Sequence, residues 1–241
     1  VARFQYSVAD CIGVQSHSNL AYFEKWLDSN QKTVHVLDNW LSEKRQHFEG
    51  YPLVENIFPG RKIFVYIGNM GIAQDMDILI DLANELRDRA DVGFLFVGRG
   101  TEKERLGKLS QEKSLNNIFF HDEIDSEAIP GLLEQCAVGL IALDPKHKSH
   151  NIPGKFLSYI KAGVPVLARI NPNTDLEHLI RGEILGEVYT GDDAKPFSIC
   201  AMKLLDNESS LKEMSTNGKA YFKANYSVSA AATNIIKILP D

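Results

Sequence analysis

The chain has 241 residues, 44% hydrophobic and 24% charged, with a formal net charge of −6, enough for one large globular domain or one and a half. Its pI of about 5.7 excludes the basic field that a nucleic-acid partner needs, so any bound anion requires a local site. No run of about 18 apolar residues is available to span a bilayer, and Cys11, Cys136 and Cys200 form no CxxC pair, which argues for a reducing compartment without structural disulfides or zinc.

The chain opens in mid-pattern at Val1 without a visible signal peptide, as a piece of a longer protein does. Cys11–Val14 reads as a short strand. Leu20, Phe23 and Leu27 predict a helix over 16–27, with Ser16 or Ser18 as its cap. Thr33–Leu37 is a second strand. Residues 38–60 are polar and rich in turn formers, as a linker with room for one short helix. From residue 61 the pattern becomes regular. Ile63–Ile67 is a strand, the Gly68-Asn69-Met70-Gly71 loop follows, and Ile78, Leu79, Leu82, Ala83 and Leu86 share one helix face. Strand 92–97 ends in Gly98-Arg99-Gly100, followed by a polar helix over about 102–114. Strand 117–120, an acidic loop over 121–126 and a helix over 129–136 come next.

Val138–Leu143 is apolar throughout, as suits a buried parallel strand. A basic loop with Lys146, His147, Lys148 and His150 leads to Pro153 and Gly154, which open a helix carrying Phe156, Leu157 and Ile160. Strand 164–168, a helix over 174–180, strand 187–189 and helices near 194–205, 208–224 and 229–239 complete the chain. This alternation predicts an α/β fold with a Rossmann-like parallel sheet and helices on both faces. Ligands of such sheets lie beyond the carboxyl ends of the strands, where the loops after residues 67, 97 and 143 gather. A helix starting there presents unpaired N–H groups and a positive dipole end to a phosphate.

Several motifs are weak when read alone. Gly98-Arg99-Gly100 lacks the third glycine of a dinucleotide fingerprint, since Lys103 stands there. It is better suited to a strand-end turn or to a floor for a nucleoside. Gly68–Gly71 is not followed by a GKS or GKT, but its amides, with Asn69 and Gln74, can face a diphosphate. Asp75-Met76-Asp77 has a DxD form, in a first helical turn where acids are favoured anyway. Asp144, His147 and His150 are too few and too loosely spaced for zinc, so no metal is expected. Cys136 reads as core, and no Gly-x-Ser-x-Gly elbow is present. The Asn207-Glu208-Ser209 and Asn225-Tyr226-Ser227 sequons read as chance.

The order of signatures is informative. Gly68-Asn69-x-Gly71-x-x-Gln74, Phe96-Val97-Gly98-x-Gly100-x-Glu102, Asn117-x-x-Phe120, Asn151-Ile152-Pro153-Gly154-Lys155-Phe156-Leu157-x-Tyr159, Ala162-Gly163-x-Pro165-Val166 and Ile170-Asn171-Pro172 follow one another. Together they resemble the carboxyl-terminal half of a family 4 retaining glycosyltransferase, in the bacterial branch that builds surface polysaccharides and includes N-acetyl-fucosamine transferases. The resemblance covers residues 61 to about 230. It implies one half of a GT-B fold, with residues 1–60 as the end of the acceptor-side domain plus linker and 61–241 as the nucleotide-sugar-binding domain. Ala9-Asp10-x-Ile12-x-x-x-Ser16 and Val36-Leu37-x-Asn39-Trp40 fit the former.

The resemblance further implies a nucleotide-sugar donor, with uridine the usual base, and no other cofactor. Its acceptor is a saccharide or a lipid-linked one. The location is cytoplasmic, at the inner face of the membrane through peripheral contacts made by the missing N-terminal domain. Diphosphate contacts fall on Gly68, Asn69, Met70, Gly71, Gln74, Asn151, Ile152, Pro153, Gly154 and Lys155. Nucleoside contacts fall on Gly98, Glu123, Ile124 and Ser158. His150 and Lys155 are the catalytic candidates. Two departures stand out. Many relatives carry glutamates at the positions of His150 and Ser158, and an Arg and a Lys at those of Asn69 and Gln74. Two other functions stay open on the sequence: a non-catalytic nucleotide-sugar-binding or interaction module, and a GT-B nucleotide-sugar epimerase.

Overall fold

The computed structural model describes residues 2–24, 33–43, 53–144 and 151–238. Six strands form its main sheet: β3 (Lys62–Ile67), β4 (Val92–Val97), β5 (Ile118–His121), β6 (Val138–Ala142), β7 (Val166–Arg169) and β8 (Gly186–Tyr189). They lie in the order β5-β4-β3-β6-β7-β8, and every pairing is parallel. The order reverses between β3 and β6, and the crevice that follows from such a reversal opens above their carboxyl ends. A shorter parallel pair, β1 (Cys11–Val14) with β2 (Thr33–Val36), precedes it.

The α-helices are α1 (Ala2–Val8), α2 (Leu53–Ile57), α3 (Asp77–Glu85), α4 (Lys103–Glu112), α5 (Ile129–Leu133), α6 (Gly154–Ala162), α7 (Asp175–Gly182), α8 (Ala194–Leu205), α9 (Glu208–Tyr221) and α10 (Val228–Ile238). The period-2 alternation of strand side chains divides the core into two layers. Ile63, Val65, Leu95, Val97 and Ile141 face Phe156, Tyr159 and Ile160 of α6. Phe64, Tyr66, Phe94, Phe96 and Leu140 face Leu79 and Leu82 of α3 and Phe197 and Leu204 of α8. On that second face Phe64 stacks on Phe94, and Phe96 on Phe120, each pair at 5.0 Å. Burial of a large apolar side chain stabilises by about 2 kcal/mol, so both layers hold the sheet firmly.

One tyrosine seats α6 over the reversal point. Tyr159 is fully buried. Its hydroxyl accepts the Ile67 N–H at 3.1 Å and has the Val65 and Leu140 carbonyls, each at 3.2 Å, within donating reach. It therefore stitches β3 to β6. Gly139 makes room for the ring, since a Cβ there would lie 2.5 Å from it.

Some elements differ from the pattern-based expectation. Residues 17–23 form a 3₁₀ helix instead of an α-helix. Ser16 makes no cap bond there, and Ser18 instead donates its N–H and hydroxyl to Asp175. Leu27 lies outside the described residues. Helix α1 carried no recognisable signal, and α5 stops at Leu133, short of residue 136. Strand β7 starts at Val166, because Pro165 has no N–H to give the ladder, although its carbonyl still takes the Gly139 N–H at 2.8 Å. Helix α9 ends at Tyr221 and passes into a π turn over Phe222–Tyr226.

The β1–β2 pair has a core of only Ile12, Val14 and Phe23 among its buried residues. It is tied to the larger unit by Ser18 on Asp175, by the Asn19 amide on Asn151 at 2.9 Å, and by the Leu41 N–H on Tyr226 O at 2.9 Å. Ser229 at the start of α10 donates to Glu43 at 2.6 Å, so the end of the chain returns to its beginning.

Candidate functional site

The crevice has two walls. The first consists of the loops after β3 and β4, locked onto each other. Gly68 N–H donates to Val97 O at 2.9 Å, Met70 N–H to Arg99 O at 2.7 Å, and Glu102 N–H to Met70 O at 2.9 Å. Gly98 and Gly100 have φ of +147° and +145°, and a Cβ at either would fall 2.1 Å from Gly68 O or 2.3 Å from Met70 O. Only glycine fits such an approach. Gln74 Oε1 accepts the Gly71 N–H at 2.9 Å, and Gln74 N–H returns to Gly71 O at 3.1 Å.

These bonds correct part of the expected diphosphate set. Met70 is fully buried with its amide taken, so it anchors the loop and has no free donor to offer. The Gly68 and Gly71 amides are likewise engaged, and Gln74 braces the loop through its carbonyl oxygen. Asn69 is the exposed member, and its N–H and carboxamide N–H₂ have no acceptor among the described residues.

The second wall is the start of α6. Ile152 is buried and holds the turn down. Pro153 occupies the cap position in an extended conformation and offers no N–H of its own, which removes it from the expected donors. Asn151 is bonded to Asn19. The Phe156 N–H goes to Pro153 O at 2.9 Å, which leaves the Gly154 and Lys155 amides heading the helix. His150, with Lys146, His147 and Lys148, lies outside the described residues.

Lys155 joins the walls. Its ammonium sits 3.4 Å from the centroid of the Tyr66 ring, and a Cβ on Gly68 would be 3.9 Å from it. The cation–π contact attracts the ammonium but does not neutralise it. No carboxylate pairs with Lys155 among the described residues, and desolvation by burial lowers its pKa to about 7. Tyr66 itself is buried, and its hydroxyl donates to Asn69 O at 2.6 Å. The same ring thus positions the lysine and the exposed asparagine. This tyrosine was missed in the sequence, because inside an apolar strand it reads as core.

A cavity of about 170 Å³ adjoins the first wall, lined by Gly68, Gly98, Glu123, Ile124, Ser126 and Ile129 among others. Three of the four expected nucleoside residues thus meet in one place. Ser158 does not line that cavity. It lines a second one of about 390 Å³ between α5 and α6, which shares Ser126 and Ile129 with the first.

The DxD pair is held apart by arginines. Asp77 pairs with Arg105 at 2.5 Å, and Asp75 pairs with Arg169 at 3.1 Å. Among the described residues no group of three His, Cys, Asp or Glu is placed to hold a metal. Arg169 is nearly inaccessible and also bonds Leu143 O and Asp192, so it ties together the segments after β3, β6 and β8. An arginine closing an apolar strand was the signal for it. Cys136 is core as expected: its thiol donates to Leu132 O, and burial pushes its pKa up to about 12.

Residues 51–221 match the family of glycosyl transferases group 1. The chain belongs to this family. Among relatives of the group, a colanic acid biosynthesis glycosyl transferase by name, WcaI of Escherichia coli K12, is 27% identical over 161 residues, which is 67% of this chain and 37% of WcaI. WbjE of Pseudomonas aeruginosa, named a probable glycosyltransferase, is 22% identical over 93% of this chain and 56% of its own length. The chain therefore spans between about a third and a little over a half of these relatives. Sucrose-phosphate synthase from Thermosynechococcus elongatus superimposes with a TM-score of 0.77 at 18% identity, over 95% of this chain and 57% of that one. Anabaena HepE, in complex with UDP and glucose, does so at 0.76 and 14%, over 95% and 62%. These likenesses establish the GT-B type of fold.

Proposed function

We propose that this chain is the donor-binding half of a retaining glycosyltransferase. It holds a UDP-sugar whose sugar passes to a saccharide or lipid-linked acceptor during surface-polysaccharide synthesis. The observation that carries this reading is the Lys155 ammonium, desolvated, without a carboxylate partner among the described residues, and set between the Gly68 loop and the start of α6. A buried cation without a counter-ion is costly, and an anionic ligand relieves that cost. The UDP complexes among the structural neighbours and the polysaccharide role in the name of WcaI support the choice of donor and pathway class.

As the bond from sugar to diphosphate breaks, negative charge collects on the leaving oxygen. The Lys155 ammonium and the Gly154 and Lys155 amides stabilise it in a crevice that excludes much water, and Asn69 adds a neutral donor across the gap. The nucleoside rests on Gly98 against Glu123 and Ile124. Residues 1–60 belong to the end and linker of an acceptor-side domain. That domain supplies the acceptor site and the peripheral contact with the inner face of the membrane, in the cytoplasm. The chain alone binds donor without turning it over.

A binding module without catalysis is the second reading. Ser158, where relatives often have a carboxylate, and Gln74, bonded into its own loop, favour it. The test is calorimetric titration with UDP, with and without Mg²⁺, on this chain and on Lys155→Ala. The expected outcome is metal-independent binding weakened at least about tenfold, or about 1.4 kcal/mol, by the substitution. Silence toward UDP, GDP and ADP alike sinks the donor-site reading, and transfer after the acceptor-side domain is added back sinks the module reading.

A further inference from the structure

The turn that leaves the carboxyl end of β1 donates from two successive residues to segments at the carboxyl ends of β6 and β7. Ser18 gives its N–H to Asp175 Oδ2 at 2.9 Å and its hydroxyl to Asp175 Oδ1 at 2.6 Å. Asp175 is the first residue of α7 and follows the Thr174 cap. Asn19 gives its carboxamide N–H₂ to Asn151 Oδ1 at 2.9 Å. The turn is also closed on itself, since the Asn19 N–H returns to Ser16 O at 3.2 Å. The two ties differ in kind. A carboxylate that takes two donors makes charge-assisted bonds and anchors the turn. The Asn19–Asn151 bond is neutral and exposed, so it contributes little to stability. Its consequence is geometric.

Asn151 stands just ahead of the helix wall of the crevice. Between it and Gly154 the chain has little freedom. Ile152 is buried, and Pro153 is extended, with φ of −64° held by its ring. The direction of Asn151 therefore carries through to the Gly154 and Lys155 amides. Gly154 has no packing of its own to set that direction, because a Cβ added there would meet no neighbouring atom within 4 Å. Ile152 holds the segment from the core side, and Asn19 holds it from the β1–β2 unit.

We propose that Asn19 is a positioning residue for the donor. Acting through Asn151, it aims the amides that head α6, so the β1–β2 unit takes part in donor binding without touching the donor. The inference rests on the donor-site reading above.

The test is a double-mutant cycle on this chain, with UDP titrated into Asn19→Ala, Asn151→Ala and the double variant. Loss of one hydrogen bond's worth of preorganisation predicts that Asn19→Ala weakens UDP binding about fivefold. The thermal midpoint should hold, because the bond is exposed. If Asn19 acts through Asn151, the double variant binds UDP no more weakly than Asn151→Ala alone. A purely structural role would not produce that coupling. Fully additive losses overturn the inference. So does unchanged UDP affinity in Asn19→Ala while Lys155→Ala still loses its tenfold, and the donor-site reading then stands. Absence of UDP binding to the unaltered chain overturns the donor-site reading and this inference with it.

Discussion

The two walls of the crevice differ in how their polar groups are used. In the glycine wall the amides of Gly68, Met70 and Gly71 are bonded to protein acceptors. In the helix wall the Gly154 and Lys155 amides and the Lys155 ammonium face a space with no carboxylate partner among the described residues. Glycine-rich loops are often read as ligand cradles. Here the glycines permit two backbones to cross at close range, so the wall is shape, and in the proposed function affinity belongs to the wall opposite. The contrast also separates stability from binding, because the glycine wall holds the fold together while Lys155, a desolvated cation without a carboxylate partner among the described residues, works against it.

The largest effect expected is on the glycine wall. Gly98→Ala places a methyl 2.1 Å from Gly68 O in a strained backbone region, which should cost about 4 kcal/mol and lower the thermal midpoint by roughly 10 °C. An unchanged midpoint would mean that the loops do not interlock. Lys155→Ala should act in the opposite sense, with the tenfold loss of UDP affinity given above and a midpoint that holds or rises, because no ion pair is lost.

The pH dependence sharpens the same point. Burial lowers the Lys155 pKa from 10.5 to about 7, and a bound diphosphate raises it again. Between the two values binding takes up a proton, so UDP affinity should fall as pH rises from 7 to 9, approaching about tenfold per unit. The phosphate ionises near pH 6 and contributes nothing there. The stability of the free chain carries the opposite sign. The folded state holds fewer protons than the unfolded one between about 7 and 10.5, so this group's penalty is full below pH 7 and fades as pH rises. Affinity that is flat across this range, or flat only in Lys155→Ala, decides between the outcomes: the first removes the lysine from the site and the second confirms it there. The smallest effect belongs to Gln74→Ala, which frees the Gly71 N–H. About 1 kcal/mol of stability should be lost, with UDP affinity weakened no more than about threefold. A loss as large as that of Lys155→Ala would show that Gln74 touches the ligand after all.

Periodicity and punctuation along the chain were enough for the alternating strands and helices, and for the gathering of three loops at one sheet edge, because strand and helix spacing in a buried parallel sheet is a local property. The resemblance that the ordered motifs carry also named Lys155, Gly98, Glu123 and Ile124 as candidates. What local pattern could not decide was which donors are already taken. Whether the Met70 amide faces a diphosphate or Arg99 O depends on a crossing of two loops that are about 30 residues apart. Whether Tyr66 is simply core or a platform for Lys155 depends on α6, which arrives about 90 residues later. The place of Ser158, in the α5–α6 cavity and not under the nucleoside floor, depends on how those two helices pack. Hydrogen-bond partnership and desolvation are properties of groups distant in the chain and near in space, so only the tertiary structure decided them.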